Sequence, residues 1–149
     1  MKIKLRQIPQ EGLRIEGDEP PSVMDLRDPL YRFEQPIHYA LEVTPVEGRG
    51  ISVRGGLSTV ARACCVRTLE WFDLPLVVEN FQYHSGQVRG DEIDLTPEIR
   101  EDILLALPSS PVSPQAQPLE AGKHDQARVQ NGVWGKLDQL KLTKKGIKN

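Results

Sequence analysis

The sequence predicts an α+β domain: an antiparallel β-meander, able to curl toward a barrel, covered by one main helix and followed by a flexible C-terminal tail. Three observations predict it. Residues 37–83 alternate apolar and polar side chains with a period of two over long stretches, the spacing of half-buried strands. One clearly bounded helical segment, DEIDLTPEIREDILLALP at 91–108, follows them. Beyond Pro108 large apolar side chains become scarce and prolines and glutamines take over, a composition that does not repay the entropy of ordering.

Each element can be justified in turn. Ile3 and Leu5 alternate with Lys4 and Arg6, a first strand over residues 2–8 that Leu13 and Ile15 extend after Gly12. Residues 17–36 carry Pro20, Pro21, Pro29 and Pro36 among acids, which predicts loop with one helical turn near 22–27. Ile37, Tyr39, Leu41 and Val43 then define a strand with His38 and Glu42 facing away, and residues 47–50 supply the turn. The next strand keeps Ile51, Val53, Leu57, Thr59, Ala61 and Ala63 on one face, with Ser52, Arg54, Ser58 and Arg62 opposite; Gly55-Gly56 predicts a bulge or bend. A third long strand over 66–83 is apolar at Phe72, Leu74, Leu76 and Val78 and then at Phe81 and Tyr83, a change of phase that places a bulge near Glu79. In the helix, Thr96 is the expected N-cap and Pro97 the first helical residue. Ile99, Ile103, Leu104 and Leu107 form its apolar stripe, Glu98, Arg100, Glu101 and Asp102 the polar side, and Pro108 the stop. About three turns of helix are marginal alone in water, so the stripe must pack on the sheet.

A single α+β domain is therefore expected at 1–108, a disordered Pro/Gln-rich linker at 109–132, and a short amphipathic and basic segment at 133–149. That last segment carries Trp134, Leu137 and Leu140 followed by Lys144 and Lys145, which are the candidates for docking on the protein's own domain or on a partner.

Composition excludes some classes. The chain of 149 residues has a net charge of −2, so it lacks the strongly basic balance of many nucleic-acid-binding domains. No apolar run reaches the length of a membrane span and the first residues, MKIKLRQIPQEG, lack an apolar signal core, which predicts a cytoplasmic protein without a membrane partner. The two cysteines, Cys64 and Cys65, are sequence neighbours and cannot close a long disulfide loop, in keeping with a reducing compartment.

Enzyme signatures are missing from the chain. It has no G-x-S-x-G elbow, no phosphate-binding G-x-x-x-x-G-K-[ST] loop and no H-E-x-x-H pair. His38, His84 and His124 lie far apart, and the acids around Asp94 read as a solvated helix face with a favourable first turn rather than a carboxylate pair. On a strand Cys64 and Cys65 point to opposite faces, one of them buried as a small hydrophobe, and nothing nearby completes a zinc site. No catalytic residue, cofactor, metal or small-molecule substrate is expected. The suggestive residues are Arg49, Arg54, Arg62 and Arg67, a run with no intervening acid on the sheet or its turn. Guanidinium forks match phosphate geometry, so these four are the RNA-contact candidates; an ordinary solvated sheet face is the other explanation.

At CVRTLE (65–70) the sequence resembles the YceD family, the large ribosomal RNA subunit accumulation proteins, and the resemblance extends through the 91–108 helix segment to GKLDQLK at 135–141. It implies a cytoplasmic, non-catalytic factor in large ribosomal subunit biogenesis that supports accumulation or processing of 23S ribosomal RNA. The partner would be ribosomal RNA, a large-subunit ribosomal protein or both, and the factor is expected to be a monomer; the alternative is an adaptor that engages a basic ribosomal protein without touching RNA. One departure matters chemically. Many members have a second cysteine where this chain has Thr68, and further cysteines where it has Pro-Val-Ser-Pro-Gln-Ala-Gln at 111–117. Those cysteines look metal-binding, so the resemblance implies that this cysteine-poor chain does without the metal.

Overall fold

A computed structural model describes residues 1–116 of the chain. The expected docking residues Trp134, Leu137, Leu140, Lys144 and Lys145, and most of the expected linker, lie outside the described residues.

The chain is an α+β domain organised on one long strand. In order it forms β1 (Lys2–Lys4), β2 (Leu13–Glu19), β3 (Tyr31–Phe33), β4 (Ile37–Val46), β5 (Gly50–Cys64), β6 (Trp71–Ser85), β7 (Glu92–Asp94) and α1 (Thr96–Leu105), with 3₁₀ turns at Leu5–Gln7 and Pro21–Met24. β4, β5 and β6 make the expected antiparallel meander, and β2 adds to the far side of β4. β3 pairs with Ala61–Ala63 of β5, so β3 and β4 lie in succession along the same side of that strand. Between them the chain bows out at 34–36, where the buried Thr59 hydroxyl donates to the Pro36 carbonyl at 3.0 Å. The sheet curls into a half-barrel.

The inner face follows the alternation read from the sequence. Ile51, Val53, Leu57, Thr59, Ala61 and Ala63 of β5 are all buried, as are Ile37, Leu41 and Val43 of β4. Ile99 and Ile103 of α1 close over them together with Leu95, Met24 and Phe81. Leu104 and Leu107 pack at the margin of this core, whereas Leu105 projects into solvent.

The two bulges expected at Gly55-Gly56 and near Glu79 are one feature. Gly55 pairs with Phe81 and Leu57 with Val78, so Gly56 alone opposes Glu79 and Asn80. The extra residue reverses the facing of β6, which is why its apolar positions switch from even to odd. Glycine is required there: a Cβ on Gly55, at φ 156°, would lie 2.1 Å from the Ala40 carbonyl oxygen.

Four expectations need correction. The first strand is two: β1 pairs with β7, ninety residues away, with Ile3 facing Ile93, whereas β2 belongs to the large sheet. β6 starts at Trp71 rather than at residue 66, because 65–70 form a tight loop. Thr96 is not the N-cap. The Asp94 carboxylate accepts from the Thr96 N–H at 3.0 Å, and the Thr96 hydroxyl accepts from the Met1 amino group instead. Finally, the first compact unit runs to Ala116 and not to Pro108. Pro111 and Ser113 are buried against the 65–70 loop, so the sparse apolar composition that predicts a linker from 109 misses a strap held by hydrogen bonds.

Replacing Gly55 by alanine should force β4 and β5 apart at the bulge and destabilise the domain by about 3 kcal/mol, as overpacking a close backbone contact does. Gly86→Ala, where a Cβ would meet nothing within 4 Å, is the matched control. Denaturant unfolding of both variants checks this; equal midpoints would show that the bulge tolerates a side chain.

Candidate functional site

Residues that face each other across antiparallel strands point to the same side of the sheet, so the strand register defines the outer face. Across β2, β4, β5 and β6 the rows read Arg14–Glu42–Arg54–Gln82 and Asp18–His38–Ser58–Val77. Across β3, β5 and β6 the row is Arg32–Arg62–Asp73.

The four expected arginines do not converge. Arg54 and Arg62 share the outer face of β5, but eight residues of extended chain separate them by roughly 26 Å. Arg49 sits at φ 71° in the turn before β5, and Arg67 in the loop after it, so these two mark opposite ends of the strand. Each strand arginine also faces an acid: Arg54 lies opposite Glu42, and Arg62 meets Asp73 at 3.0 Å. Arg14 bonds Glu16 at 2.8 Å in the same manner. Ion pairing of this kind cancels most of the field that an arginine row would present to phosphate.

Two residues outside the expected set change the local balance. The Arg32 guanidinium stacks over the Trp71 indole, 4.5 Å from the ring centroid. Arg32 is exposed and Trp71 half-buried. With Arg62 directly opposite Arg32, this row holds two guanidinium groups and the carboxylate of Asp73, and Glu34 stands off the row on the wall of the adjoining cleft. Sequence reading passed over Arg32 because the surrounding prolines point to loop, and over Trp71 because it lies on the odd-numbered side of the expected strand, away from Phe72, Leu74 and Leu76. The alternation in Tyr31-Arg32-Phe33, with Tyr31 inward, was the available signal.

Next to this patch the loop 65–70 folds around a thiol. The Leu69 N–H donates to the Cys65 carbonyl and the Cys65 N–H to the Glu70 carbonyl, each at 2.8 Å. Leu69 adopts φ 60°, unusual for a leucine, with its side chain 74% exposed. The strap joins through the Val66 N–H, which donates to the Pro111 carbonyl at 2.9 Å, and the Ser113 N–H, which donates to Cys65 Sγ at 3.3 Å. Cys65 is fully buried, yet its thiol is pulled down to about 7 by the N–H of Ser113 first, with the Thr68 hydroxyl and the backbone N–H groups of Thr68 and Arg67 adding to it. Donors directed at sulfur stabilise the thiolate.

These donors do not fit a zinc ion. Zinc takes four ligands, or three and water, and the knot offers one sulfur; a threonine hydroxyl stands at 68 and a main-chain amide at 113. Among the described residues no group of three or more His, Cys, Asp or Glu side chains is placed to hold a metal.

Elsewhere on the outer face, Asp18, His38 and Ser58 stand in register across three strands, and Asp18 contacts His38 Nδ1. Two clefts of about 400 and 590 Å³ both include His38, Ser58 and Val77. The residue types suit acyl transfer, but among the described residues Ser58 makes no hydrogen bond to His38, and both Asp18 and His38 are more than half exposed. A nucleophile needs its base within hydrogen-bond reach and a water-excluding site, so the row is not built as a relay.

Comparison with protein-family models, with curated proteins and with solved structures finds no match for this chain. Among the described residues no helix is long and apolar enough to cross a membrane.

The thiol knot predicts a pH response. A thiol lowered on folding contributes stability above its unfolded value, near 8.5, and the contribution fades as the pH falls through about 7. Protection of the Ser113 amide, corrected for intrinsic exchange, should therefore be greater at high pH than at low pH and lose that dependence in Cys65→Ala. Identical protection on both sides of neutrality would mean that the thiolate does not hold the strap.

Proposed function

We propose that this protein is a cytoplasmic, monomeric, non-catalytic factor in large ribosomal subunit biogenesis, supporting accumulation or processing of 23S ribosomal RNA by binding RNA, a ribosomal protein or both. The observation that carries the reading is the way the resembling segments assemble. The CVRTLE loop and the 91–108 segment are distant in sequence, and the strap that follows the segment, residues 111–113, links the one to the other. Tyr31 Oη donates to the Pro108 carbonyl at the end of the helix segment, and the strap beyond Pro108 ties to Val66 and Cys65. Segments linked in this way can be engaged by a common partner.

The alternative, an adaptor that meets a basic ribosomal protein without RNA, draws support from the same region. Val66, Leu69 and Val112 are exposed apolar side chains of the loop and strap, of the kind that anchor protein contacts. The acid opposite or beside Arg14, Arg54 and Arg62 supports it as well.

Depleting the protein in its own cells should lower the ratio of large- to small-subunit ribosomal RNA, and the wild-type gene should restore it. An unchanged ratio overturns the reading. Chemical-shift changes in the purified chain then separate the two partners. Shifts with ribosomal RNA fragments that fade as salt rises report RNA contact, and shifts at Val66, Leu69 and Val112 with ribosomal proteins alone report the adaptor.

A further inference from the structure

We propose that the outer face at the Trp71 end of β5 is a platform for single-stranded RNA, with Arg32 and Trp71 stacking one base and Arg32 and Arg62 contacting the adjoining phosphate. The proposal rests on the RNA arm of the function above and gives it a location.

The register supplies the first argument. Like charges directly opposite on neighbouring strands are unfavourable, yet Arg32 and Arg62 occupy such a pair. Asp73 compensates Arg62 at 3.0 Å. Among the described residues Arg32 meets the π face of Trp71 and forms no ion pair with an acid. Where Arg14 and Arg54 each have a carboxylate beside or opposite them, the row Arg32–Arg62–Asp73 holds one guanidinium more than carboxylates, with Glu34 standing off it on the cleft wall. An anion is the complementary occupant.

The stack supplies the second. The Arg32 guanidinium carbon lies over the Trp71 ring, 4.5 Å from its centroid, and Arg32 is exposed. A guanidinium held at an indole and open to solvent offers a base a stacking partner, and any base serves because each has a π face. Bases in a duplex are already stacked, which selects a single strand. The cleft of about 400 Å³ begins at Arg62 and Asp73 and continues past Gln35 and Ser58, leaving room beside the stack for a neighbouring nucleotide. Acidic Glu34 on its wall favours a base or ribose there and leaves the phosphate to Arg32 and Arg62.

The test uses the full chain and a short, fluorescently labelled single-stranded RNA of mixed sequence, read by anisotropy over a range of salt. Wild type should bind at low salt. Trp71→Leu and Arg32→Ala should each weaken binding about tenfold, the size of one lost base stack. Arg62→Ala should flatten the logarithmic salt slope by about 0.7, the share of one phosphate contact on a single strand. Asp73→Asn should tighten binding severalfold by freeing Arg62, an effect that a merely structural stack would not give. Arg14→Ala, on the same face but paired with Glu16, should leave binding unchanged. Trp71→Phe keeps an aromatic ring should the leucine variant unfold, and it should bind between wild type and Arg32→Ala.

Wild type that fails to bind at low salt overturns the platform, as does an equal loss in Arg14→Ala or weaker binding by Asp73→Asn. Failure here with ribosomal RNA still falling on depletion leaves the biogenesis reading intact. Binding here with ribosomal RNA unaffected by depletion removes that reading and keeps the platform.

Discussion

Burial of the inward face of β5 is the constraint on which the rest of the domain depends. Fifteen residues of one strand carry the ladders of β3, β4 and β6 and contribute side chains from Ile51 to Ala63 to the core. A strand that long cannot stay flat and still wrap a core, because twist accumulates along it. The bulge opposite Gly56 absorbs the mismatch, and the break at 34–36 lets β3 and β4 follow the curve as two short pieces instead of one rigid strand. With β5 bent, Ile99 and Ile103 of α1 reach the same apolar layer as Leu41 and Phe81. The outer rows of polar side chains are then a by-product of the inner ones, since each residue that faces in obliges its neighbours to face out.

The far end of β5 is closed by a different interaction. After Cys64 the chain must reverse into β6, and Cys65 turns inward so that the loop builds on its sulfur. Sulfur is a weak acceptor as a thiol and a strong one as a thiolate, so the N–H groups that collect around it favour the charged form despite burial. The strap at 111–113 completes the knot. Hydrogen bonds to one thiol thus tie the loop to the strap, and how firmly they do so depends on the charge that the sulfur carries.

Local order was legible in the sequence and long-range pairing was not. Alternation along β4, β5 and β6, the phase change at Glu79 and the apolar stripe of α1 all follow from one residue's relation to its near neighbours, and all were readable. Residues 2–4 read as a strand but gave no sign that their partner lies at 92–94, because three residues of alternation fit any edge. The helix start shows the same limit. Thr96 has the right chemistry for an N-cap, but the cap position falls on Leu95, and the Asp94 carboxylate of β7, just before it, accepts from the Thr96 N–H. At the candidate site, Arg54 and Arg62 were read correctly as outward residues. Their carboxylate neighbours, Glu42 and Asp73, come from other strands, and so does the Trp71 ring that orients Arg32. Spacing within one strand reports which way a side chain points. It does not report what stands beside it.

That distinction decides how the outer face should be understood. A count of arginines along β5 suggests a track for a phosphate backbone, but binding depends on the charge left after neighbours are paired. Row by row, the sheet pairs Arg14 with Glu16, His38 with Asp18 and Arg62 with Asp73, and sets Arg54 against Glu42. Exposed pairs of this type add little stability, so their regularity is not explained by holding the fold together. They offset the arginine charge of the other rows, whereas the row Arg32–Arg62–Asp73, in which Arg32 meets an indole, holds one guanidinium more than carboxylates. Charge confined to one row would hold a charged strand locally and attract it only weakly at long range, which is what the proposed site for one or two nucleotides requires.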